Sequence, residues 1–244
     1  MVVLIPLPKP SIIAIICARG GSKGLPGKNL KKLEGKTLIG RAVSHAKQCD
    51  LIDDVFVTTD DEDIARSARD YGADVPFLRP ESLAGDLSTT EETLKHALLE
   101  YESHKSIHYD IAVFLTATDI FRNPEWITQA IQALMDKPHL ESVFIGHKTH
   151  KNFWEQDPVD GSWSRIRDWM STYSSRQVRR FIVREDTGLA CASRAWLWRE
   201  GRRIGDHVEI IVNDDDFTGI DIHHHEDLLL AQAGIDIRTS LPHE

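Results

Sequence analysis

The chain has 244 residues, a formal net charge of -9, 41% hydrophobic residues and 27% charged residues. This composition excludes a disordered chain, and no stretch approaches the ~20 consecutive apolar residues of a transmembrane helix. The acidic balance argues against nucleic acid as a partner, because affinity for a polyanion comes from lysine and arginine. Three cysteines without a CxxC pair predict neither a zinc ribbon nor a disulfide framework, and they favour a cytoplasmic location.

Predicted strands and helices alternate along most of the chain. Residues 1–10 are interpreted as a disordered lead-in, since prolines interrupt a short apolar run. The apolar patterns predict strands over 11–18, 55–59, 75–78, 110–116, 142–146 and 208–212. They predict helices over 38–46, 61–71, 89–101, 123–135 and 224–233. The alternation predicts one α/β domain over 11–244 with a doubly wound, mainly parallel sheet that binds ligands at the carboxyl ends of its strands.

The regular pattern fades between residues 147 and 203. Five of the six tryptophans fall in this segment, which we interpret as an inserted lobe. Aromatic residues are enriched in the cores of protein interfaces. The lobe is therefore open to three interpretations: a lid over the ligand cleft, a dimer interface, or a small hydrophobic core of its own.

A glycine-rich loop, residues 17–29, directly follows the first predicted strand. Its glycines allow backbone N–H groups to converge on phosphate oxygens without obstruction by a Cβ atom. Arg19, Lys23 and Lys28 add positive charge to the same loop. The loop therefore predicts a site for phosphate groups. The alternative, an ordinary glycine-rich surface turn, does not account for the three cations.

Three well-known glycine motifs fit this loop less well. Asn29 follows Lys28 where a Walker A loop needs serine or threonine. No register of the glycines provides the Gly-x-Gly-x-x-Gly fingerprint of dinucleotide-binding proteins. Residues 20–24 match the Gly-x-Ser-x-Gly nucleophile elbow of α/β-hydrolases, but residues 25–27 stand where that elbow must enter a helix.

The loop resembles the signature Ala-Arg-x-Gly-Ser-Lys-Gly-x-Pro-x-Lys-Asn of the acylneuraminate cytidylyltransferases, the CMP-sialic acid synthetases and their relatives. Further matching segments follow in the family's order at residues 58–60, 78–90 and 219–222. The resemblance implies a Rossmann-like nucleotidyltransferase that transfers CMP from CTP to the anomeric hydroxyl of an acidic 2-keto sugar and releases pyrophosphate. It also implies Mg2+ as a cofactor and a homodimer.

The same resemblance implies roles for individual residues. The nucleotide-binding set is Arg19, Gly20, Gly21, Ser22, Lys23, Lys28, Asn29, Arg79 and Thr90. The sugar-binding set is Thr116, Thr118, Asp119, Arg122 and Arg184. Arg19, Lys23 and Asp221 are the catalytic candidates, because phosphoryl transfer requires cations and a metal to neutralise charge on the phosphates.

The segment 115–122 departs from the family pattern Leu-Gln-Pro-Thr-Ser-Pro-Leu-Arg. Thr116 replaces a glutamine that helps to recognise the sugar in relatives, and Asp119 introduces a carboxylate. Asp119 has two interpretations: a ligand for an amino group, a hydroxyl or a metal, or a helix cap or loop hydrogen bond. We expect an altered acceptor pocket.

A second departure affects the metal site, and a third the acceptor. The family's Asp-Ile-Asp motif is Asp221-Ile222-His223 here, with both side chains on one face if the segment is a strand. Oxygen ligands suit Mg2+ and histidine suits Mn2+, Co2+ or Zn2+, so Asp221 and His223 are the metal candidates with either type of ion. Residues 184–190 replace a common Arg-Pro-Asn-Gly-Ala segment, and Arg184 stays a candidate for the sugar carboxylate.

Three functions are compatible with these patterns. The first is a cytidylyltransferase that activates sialic acid or a related nonulosonate. The second is a related nucleotide-sugar pyrophosphorylase that uses a Kdo-type or other sugar. The third is a nucleotide-binding protein that has lost turnover together with the second metal acid. CTP and an acidic sugar are the expected ligands of the first.

Overall fold

A computed structural model describes residues 9–175 and 177–240, so most of the predicted lead-in over 1–10 lies outside the described residues. The strands are β1 Ile12–Cys17, β2 Lys32–Leu33, β3 Lys36–Thr37, β4 Asp54–Thr58, β5 Ile111–Thr116, β6 Ser142–Thr149, β7 Trp154–Gln156, β8 Trp163–Arg165, β9 Ile182–Glu185, β10 Cys191–Arg194 and β11 Val208–Asn213. The α-helices are α1 Leu38–Lys47, α2 Glu62–Asp70, α3 Thr90–Lys105, α4 Glu125–Asp136, α5 Ala195–Glu200 and α6 His225–Ser240.

Seven strands form the central sheet. Its order is β11-β6-β10-β5-β1-β4, and β9 also pairs with β6. β1 pairs in parallel with β4 and β5, and β6 pairs in parallel with β11. β10 is antiparallel to both β5 and β6, and β9 is antiparallel to β6. The predicted mainly parallel α/β sheet is confirmed, with two antiparallel strands added.

Helices cover both faces of the sheet, and β1 shows why. Ile12, Ala14 and Ile16 face the core that contains α1, α2 and α4, whereas Ile13 and Ile15 face α3 and α5. All five side chains are fully buried. Since each buried isoleucine contributes about 1.5–3 kcal/mol, a continuous apolar strand is stable only between two helical layers.

Side-chain caps begin the first three helices. The hydroxyl of Thr37 accepts a hydrogen bond from Gly40 N, which confirms the predicted cap of α1. The carboxylate of Asp61 caps α2, and Thr89 forms a capping box with Glu92 at the start of α3. Each cap satisfies backbone N–H groups that the first turn of a helix leaves free. The helices that flank the ligand-binding edge of the sheet therefore start at defined residues.

The strand predicted over 75–78 is wrong. Only Asp74 pairs with the sheet, through an isolated bridge to Phe56. Pro76 follows shortly after and has no N–H group to donate to a ladder, so the pairing cannot continue.

The lobe predicted over 147–203 includes residues that belong to the main sheet and its core. β10 lies at the centre of the main sheet, and Trp198 of α5 is buried in the main core. The pattern fades there because a four-residue strand and a six-residue helix are too short to show a period. The part outside the main sheet is narrower and contains the β7–β8 hairpin.

Every helix within residues 9–175 and 177–240 is too short or too polar to cross a membrane.

Candidate active site

Four adjoining cavities line the cleft at the carboxyl ends of the strands. The loop cavity, about 340 Å³, lies along the glycine loop and shares Cys17 and Arg19 with the Arg79 cavity, about 310 Å³. The junction cavity, about 450 Å³, shares Thr116 with the loop cavity and Thr90 with the Arg79 cavity. The lobe cavity, about 1040 Å³, shares Arg184 with the junction cavity. The cleft is therefore continuous from the glycine loop to the lobe.

The loop cavity brings most of the predicted phosphate-binding residues together. Its lining includes Arg19, Ser22, Lys23, Gly24, Lys28, Asn29, Thr116, Thr118, His223 and His224. Burial lowers the pKa of Lys28, while the carboxylate of Asp221 acts in the opposite direction. Gly20 and Gly21 belong to the same loop but do not line the cavity. The partly buried ammonium of Lys28 beside open space is a suitable partner for an anionic ligand.

Glycine at two positions allows the loop to pack closely. A Cβ atom at Gly24 would lie 2.6 Å from His223 O and 2.9 Å from His224 Nδ1. A Cβ atom at Gly20 would lie 2.7 Å from Asp61 Oδ2. Both distances are shorter than side-chain contacts allow, so the loop approaches α2 and the C-terminal segment only with glycine.

Asn29 has a structural role in addition to its place in the cavity wall. Its side chain is buried, and Nδ2 donates to the carbonyl of Arg19 at 3.0 Å. This hydrogen bond joins the two ends of the glycine loop. The loop therefore has a closed shape before any ligand binds.

Asp86 contacts two of the three cations of the glycine loop, Arg19 and Lys23. Arg19 Nη1 lies 3.1 Å from Asp86 Oδ1, and the ammonium of Lys23 forms an ion pair with Asp86 Oδ2. Arg19 also donates to the carbonyl of Gly85 at 3.2 Å. The Lys23 ammonium holds the pKa of Asp86 below its ordinary value. The loop that carries Asp86 therefore pairs with two cations of the glycine loop.

Arg79 lines its own cavity, and part of its guanidinium has no hydrogen-bond partner among the described residues. The residue is buried, and its Nε and Nη2 atoms have no hydrogen-bond partner in the described part of the chain. Nη2 lies 3.5 Å from Asp60 Oδ1, an ion pair without a hydrogen bond. The same Asp60 oxygen accepts from Gly20 N at 3.0 Å. Because buried polar atoms normally have partners, these unpaired donors indicate a ligand position.

Thr90 is the first residue of α3 and lines two cavities. The Arg79 cavity and the junction cavity meet at this residue. Thr89, the N-cap, fixes the start of the helix and thus the position of Thr90. The predicted placement of Thr90 near the nucleoside is compatible with this position.

Asp119 is partly buried at the wall of the junction cavity. Its Oδ2 accepts a hydrogen bond from the hydroxyl of Thr116, and burial, with Asp221 adding to it, raises the pKa of Asp119 to about 6. Its backbone N–H donates to Thr116 Oγ1 at 3.3 Å. The predicted loop hydrogen bond therefore exists, and the carboxylate also faces a cavity.

The sugar-binding role predicted for Arg122 needs correction. Its side chain is buried and does not line any of the four cavities. Nη2 donates to Thr116 O at 2.7 Å and to Gly188 O at 2.6 Å, and Nε donates to Leu189 O. Arg122 therefore holds the loops around the junction cavity in place and does not reach a ligand in this arrangement.

Arg184, predicted to hold the sugar carboxylate, already has an acidic partner. Its Nε and Nη2 atoms donate to the two oxygens of Asp186 at 2.6 and 2.8 Å. The guanidinium lies between the junction and lobe cavities. A ligand carboxylate at this place must share or displace Asp186.

Asp221 and His223 lie side by side, although their segment is not a strand. A 3-10 helix over Asp216–Gly219 precedes an irregular segment that leads into α6. His223 Nε2 lies 2.7 Å from Asp221 Oδ2, and Asp221 Oδ1 is buried without a hydrogen-bond partner. Within the described ranges, no group of three or more His, Cys, Asp or Glu side chains is arranged to hold a metal ion.

Three residues of the cleft are absent from the predicted site. Asp60 and Asp86 lie in segments that match the family pattern, and this match was the available signal for them. His224, directly before the first residue of α6, also lines the loop cavity. No local pattern signals that His224 packs against Gly24, because this contact depends on the tertiary fold.

The family model described as "Cytidylyltransferase" matches residues 13–210. The chain belongs to the cytidylyltransferase family. A CMP-N,N'-diacetyllegionaminic acid synthase from Legionella pneumophila is 40% identical over 121 residues, which cover 50% of this chain and 52% of that protein. An N-acylneuraminate cytidylyltransferase from Escherichia coli O18:K1:H7 is 40% identical over 152 residues, 62% of this chain and 35% of that protein. Only about half or less of each relative's length is therefore matched.

Solved structures show that this cytidylyltransferase-family chain has a known fold. A CMP:2-keto-3-deoxy-manno-octonic acid synthetase complexed with CTP superposes with a TM-score of 0.63 at 18% identity, covering 93% of this chain and 99% of that one. The 4-diphosphocytidyl-2C-methyl-D-erythritol synthase from Anaerococcus prevotii gives 0.64 at 16% identity, covering 93% and 97%. The Rossmann-like nucleotidyltransferase fold implied by the resemblance is confirmed.

Proposed function

We propose that this chain transfers CMP from CTP to the anomeric hydroxyl of an acidic 2-keto sugar, a sialic acid or related nonulosonate, and releases pyrophosphate. The unpaired, buried Arg79 donors beside a cationic glycine loop carry this proposal. These features suit a nucleotide whose base lies in the Arg79 cavity and whose phosphates lie in the loop cavity. Family membership and the names of the relatives support CTP as that nucleotide.

The loop and Arg79 cavities have complementary chemistry for the nucleotide. Arg19 and Lys23 present cations beside backbone N–H groups, which is the arrangement that phosphate groups need. Arg79 presents a planar set of donors that suits the carbonyl and phosphate oxygens of a nucleotide. In this proposal the triphosphate displaces Asp86 from both cations.

The lobe cavity suits the acidic acceptor. Its lining includes the cations Lys148, Lys151 and Arg179, and Asp216 is the one acid among the described residues that line it. Arg179 Nε is buried without a hydrogen-bond partner in the described ranges. A sugar carboxylate at the border of the lobe and junction cavities, where Arg184 lines both, gains a charged partner. The anomeric carbon, which is bonded directly to the carboxylate in a 2-keto acid, then lies at the junction cavity.

Catalysis in this arrangement rests on orientation and charge. The sugar hydroxyl attacks the α-phosphorus in line with the departing pyrophosphate and loses its proton to water. The two substrates meet where the cavities join. Arg19 and Lys23 stabilise the negative charge on the phosphates during transfer. Asn29 and Asp60 hold the glycine loop in position through the backbone of Arg19 and Gly20.

Asp221 would hold Mg2+ or another divalent ion. Its Oδ1 atom is buried without a hydrogen-bond partner among the described residues, which fits a cation ligand. Magnesium sites commonly combine one or two carboxylates with substrate phosphates and water, so one carboxylate is enough when the nucleotide is bound. His223 fits less well as a ligand, and its place beside Asp221 suits a hydrogen bond that orients the carboxylate. The ion supplies charge neutralisation at the phosphates when it is bound.

We also propose that the chain forms a homodimer through the lobe. Trp154, Trp163, Tyr173 and Phe181 are between 46% and 72% exposed there, an unusual exposure for aromatic side chains. Light scattering of the purified protein at several concentrations tests this assembly. A monomer at all concentrations would contradict it.

Pyrophosphate release tests the reaction directly. The protein is incubated with each nucleoside triphosphate, Mg2+ or Mn2+, and N-acetylneuraminate, N,N'-diacetyllegionaminate, pseudaminate or Kdo. We expect release with CTP only, and loss of release in Arg19→Ala and Lys23→Ala. Full activity in either variant would contradict the phosphate-binding role of the loop.

A nucleotide-binding protein without turnover is the second candidate, because His223 stands in place of the second metal acid. In that case CTP would raise the unfolding temperature, but no acceptor would give pyrophosphate with either metal. Release with any one acceptor excludes this candidate.

A further inference from the structure

The junction cavity is rich in carboxylates. Four of its lining residues are acidic, namely Asp119, Glu185, Asp186 and Asp221, and two are arginines, Arg184 and Arg203. Both arginines are already paired: Arg184 with Asp186, and Arg203 with Glu185 at 3.3 Å. The cavity therefore has an excess of hydrogen-bond acceptors and negative charge.

Asp119 has no cationic partner in this cavity. No salt bridge to it is formed by the described residues, and its hydrogen bonds are those with Thr116. The nearby Arg122 donates to backbone carbonyls instead. A partly buried carboxylate with a single side-chain donor has lost part of its hydration, so a further donor at its second oxygen would stabilise it.

The position of the Asp119 carboxylate is fixed by the chain around it. Thr116 donates to Oδ2 from one side, and a Cβ atom at Gly188 would lie only 2.0 Å from the same oxygen. Oδ2 therefore packs against the backbone of Gly188. A fixed carboxylate at a cavity wall is a pre-organised acceptor, which loses little entropy when a donor binds.

We infer that Asp119 is a specificity-determining residue that accepts a hydrogen bond from a neutral donor, a hydroxyl or an amide N–H, on the acceptor sugar. This inference rests on the proposed function. It places the sugar with its carboxylate toward the cations of the lobe cavity and a donor toward Asp119. A second carboxylate of the sugar at this position would face the Asp119 carboxylate, and the repulsion between two like charges favours a neutral donor.

Steady-state kinetics of the full chain test this role. Asp119→Asn keeps the size of the side chain, and Asp119→Ser introduces the serine found at this position in the family pattern. We expect both variants to raise the acceptor KM by about tenfold or more, because hydrogen bonds to charged groups are strong. The KM for CTP should stay within about twofold, because Asp119 lies outside the loop and Arg79 cavities. Asp70→Asn, the same change on the exposed face of α2, is the matched control.

The outcomes separate this inference from the function on which it rests. If the unaltered chain gives no pyrophosphate with CTP and any of the four acids, the proposed function fails and the inference fails with it. If the unaltered chain is active and both Asp119 variants keep its acceptor KM, the inference alone is wrong. A parallel rise in the KM for CTP would also overturn it, because a general distortion of the cleft would then explain the effect. Circular dichroism and thermal unfolding verify that each variant is folded.

Discussion

The carboxylate of Asp86 lies 3.1 Å from Arg19 and also forms an ion pair with Lys23, so one acid contacts both of the cations proposed to hold the triphosphate. Asp86 belongs to a loop between Arg79 and α3 that also supplies the carbonyl of Gly85 to Arg19. The side chains are substantially exposed, which keeps these pairs weak and exchangeable. In the proposed function, Asp86 thus competes with the triphosphate for Arg19 and Lys23.

We expect Asp86→Asn to lower the KM for CTP by about threefold at low ionic strength, as expected for the loss of exposed ion pairs. The cations then bind the triphosphate without first releasing an acid. Initial rates against CTP concentration, at low and high salt, measure the effect, and salt should reduce it. Asp70→Asn serves as the control for the same change in net charge. A higher KM for CTP would mean that Asp86 instead holds the cations in their binding position.

Replacement of Arg79 should reduce the affinity for CTP while it leaves the stability of the unliganded protein nearly unchanged. Arg79→Met removes a buried guanidinium whose Nε and Nη2 atoms lack hydrogen-bond partners, together with its ion pair to Asp60. Asp60 is partly exposed and keeps the hydrogen bond from Gly20 N, so the unfolding temperature of the unliganded protein should change little. The rise in unfolding temperature that CTP causes should disappear, because this rise follows nucleotide affinity. Differential scanning fluorimetry with and without CTP provides both values. Arg79→Lys keeps the charge and loses the planar donors, and it should recover little of the shift. An unchanged CTP shift in Arg79→Met would remove Arg79 from the nucleotide site.

The parts of the site that were predictable lie close together in sequence. The buried strand β1, the glycine loop and the caps Thr37 and Asp61 depend on neighbouring residues, so local patterns reveal them. Predicted helices begin within one or two residues of the observed ones at these caps. The arrangement of strands and loops then brings the ligand residues to one edge of the sheet.

Other features depend on residues far apart in the chain. Arg122 donates to Gly188 and Leu189, 66 and 67 residues away, and only the assembled fold shows that these carbonyls occupy its guanidinium. β10 pairs with strands on both sides, yet its four residues are too few for a periodic signal. The motif of the family brings Arg122 beside Thr116 and Gly188 of the junction cavity, but its side chain donates to their backbone carbonyls. A sequence pattern therefore indicates the place of a residue better than the direction of its side chain.

The contact between Gly24 and the C-terminal segment predicts a specific intolerance to substitution. Gly24→Ala places a Cβ atom 2.6 Å from His223 O, a backbone atom that cannot move without shifting the start of α6. We expect the KM for CTP to rise about tenfold or more, because small displacements of a binding loop are costly. Gly21→Ala is the comparison, since its Cβ would meet nothing within 4 Å, and it should have a much smaller effect. Equal effects of the two substitutions would contradict the packing argument.

Low pH should lower the stability of the fold by protonating Asp74. This residue lies at the amino-terminal ends of the strands, opposite the cleft. Tyr101 donates to Asp74 Oδ2 at 2.6 Å and Lys105 lies 2.9 Å away, and the hydrogen bond from Tyr101 is the main cause of a pKa below the ordinary value of 3.8. Because the folded pKa lies below the unfolded one, ionised Asp74 stabilises the fold at neutral pH. This stabilisation is lost as the pH falls from about 5 through the folded pKa.

Asp74→Asn should therefore be less stable than the original chain at pH 7 and should lose less further stability on acidification. Urea unfolding at a series of pH values gives the free energy of unfolding for both proteins. Asp70→Asn, on the exposed end of α2, controls for the removal of one acid. Identical pH slopes for Asp74→Asn and the original chain would show that the Tyr101 and Lys105 contacts do not distinguish ionised from protonated Asp74.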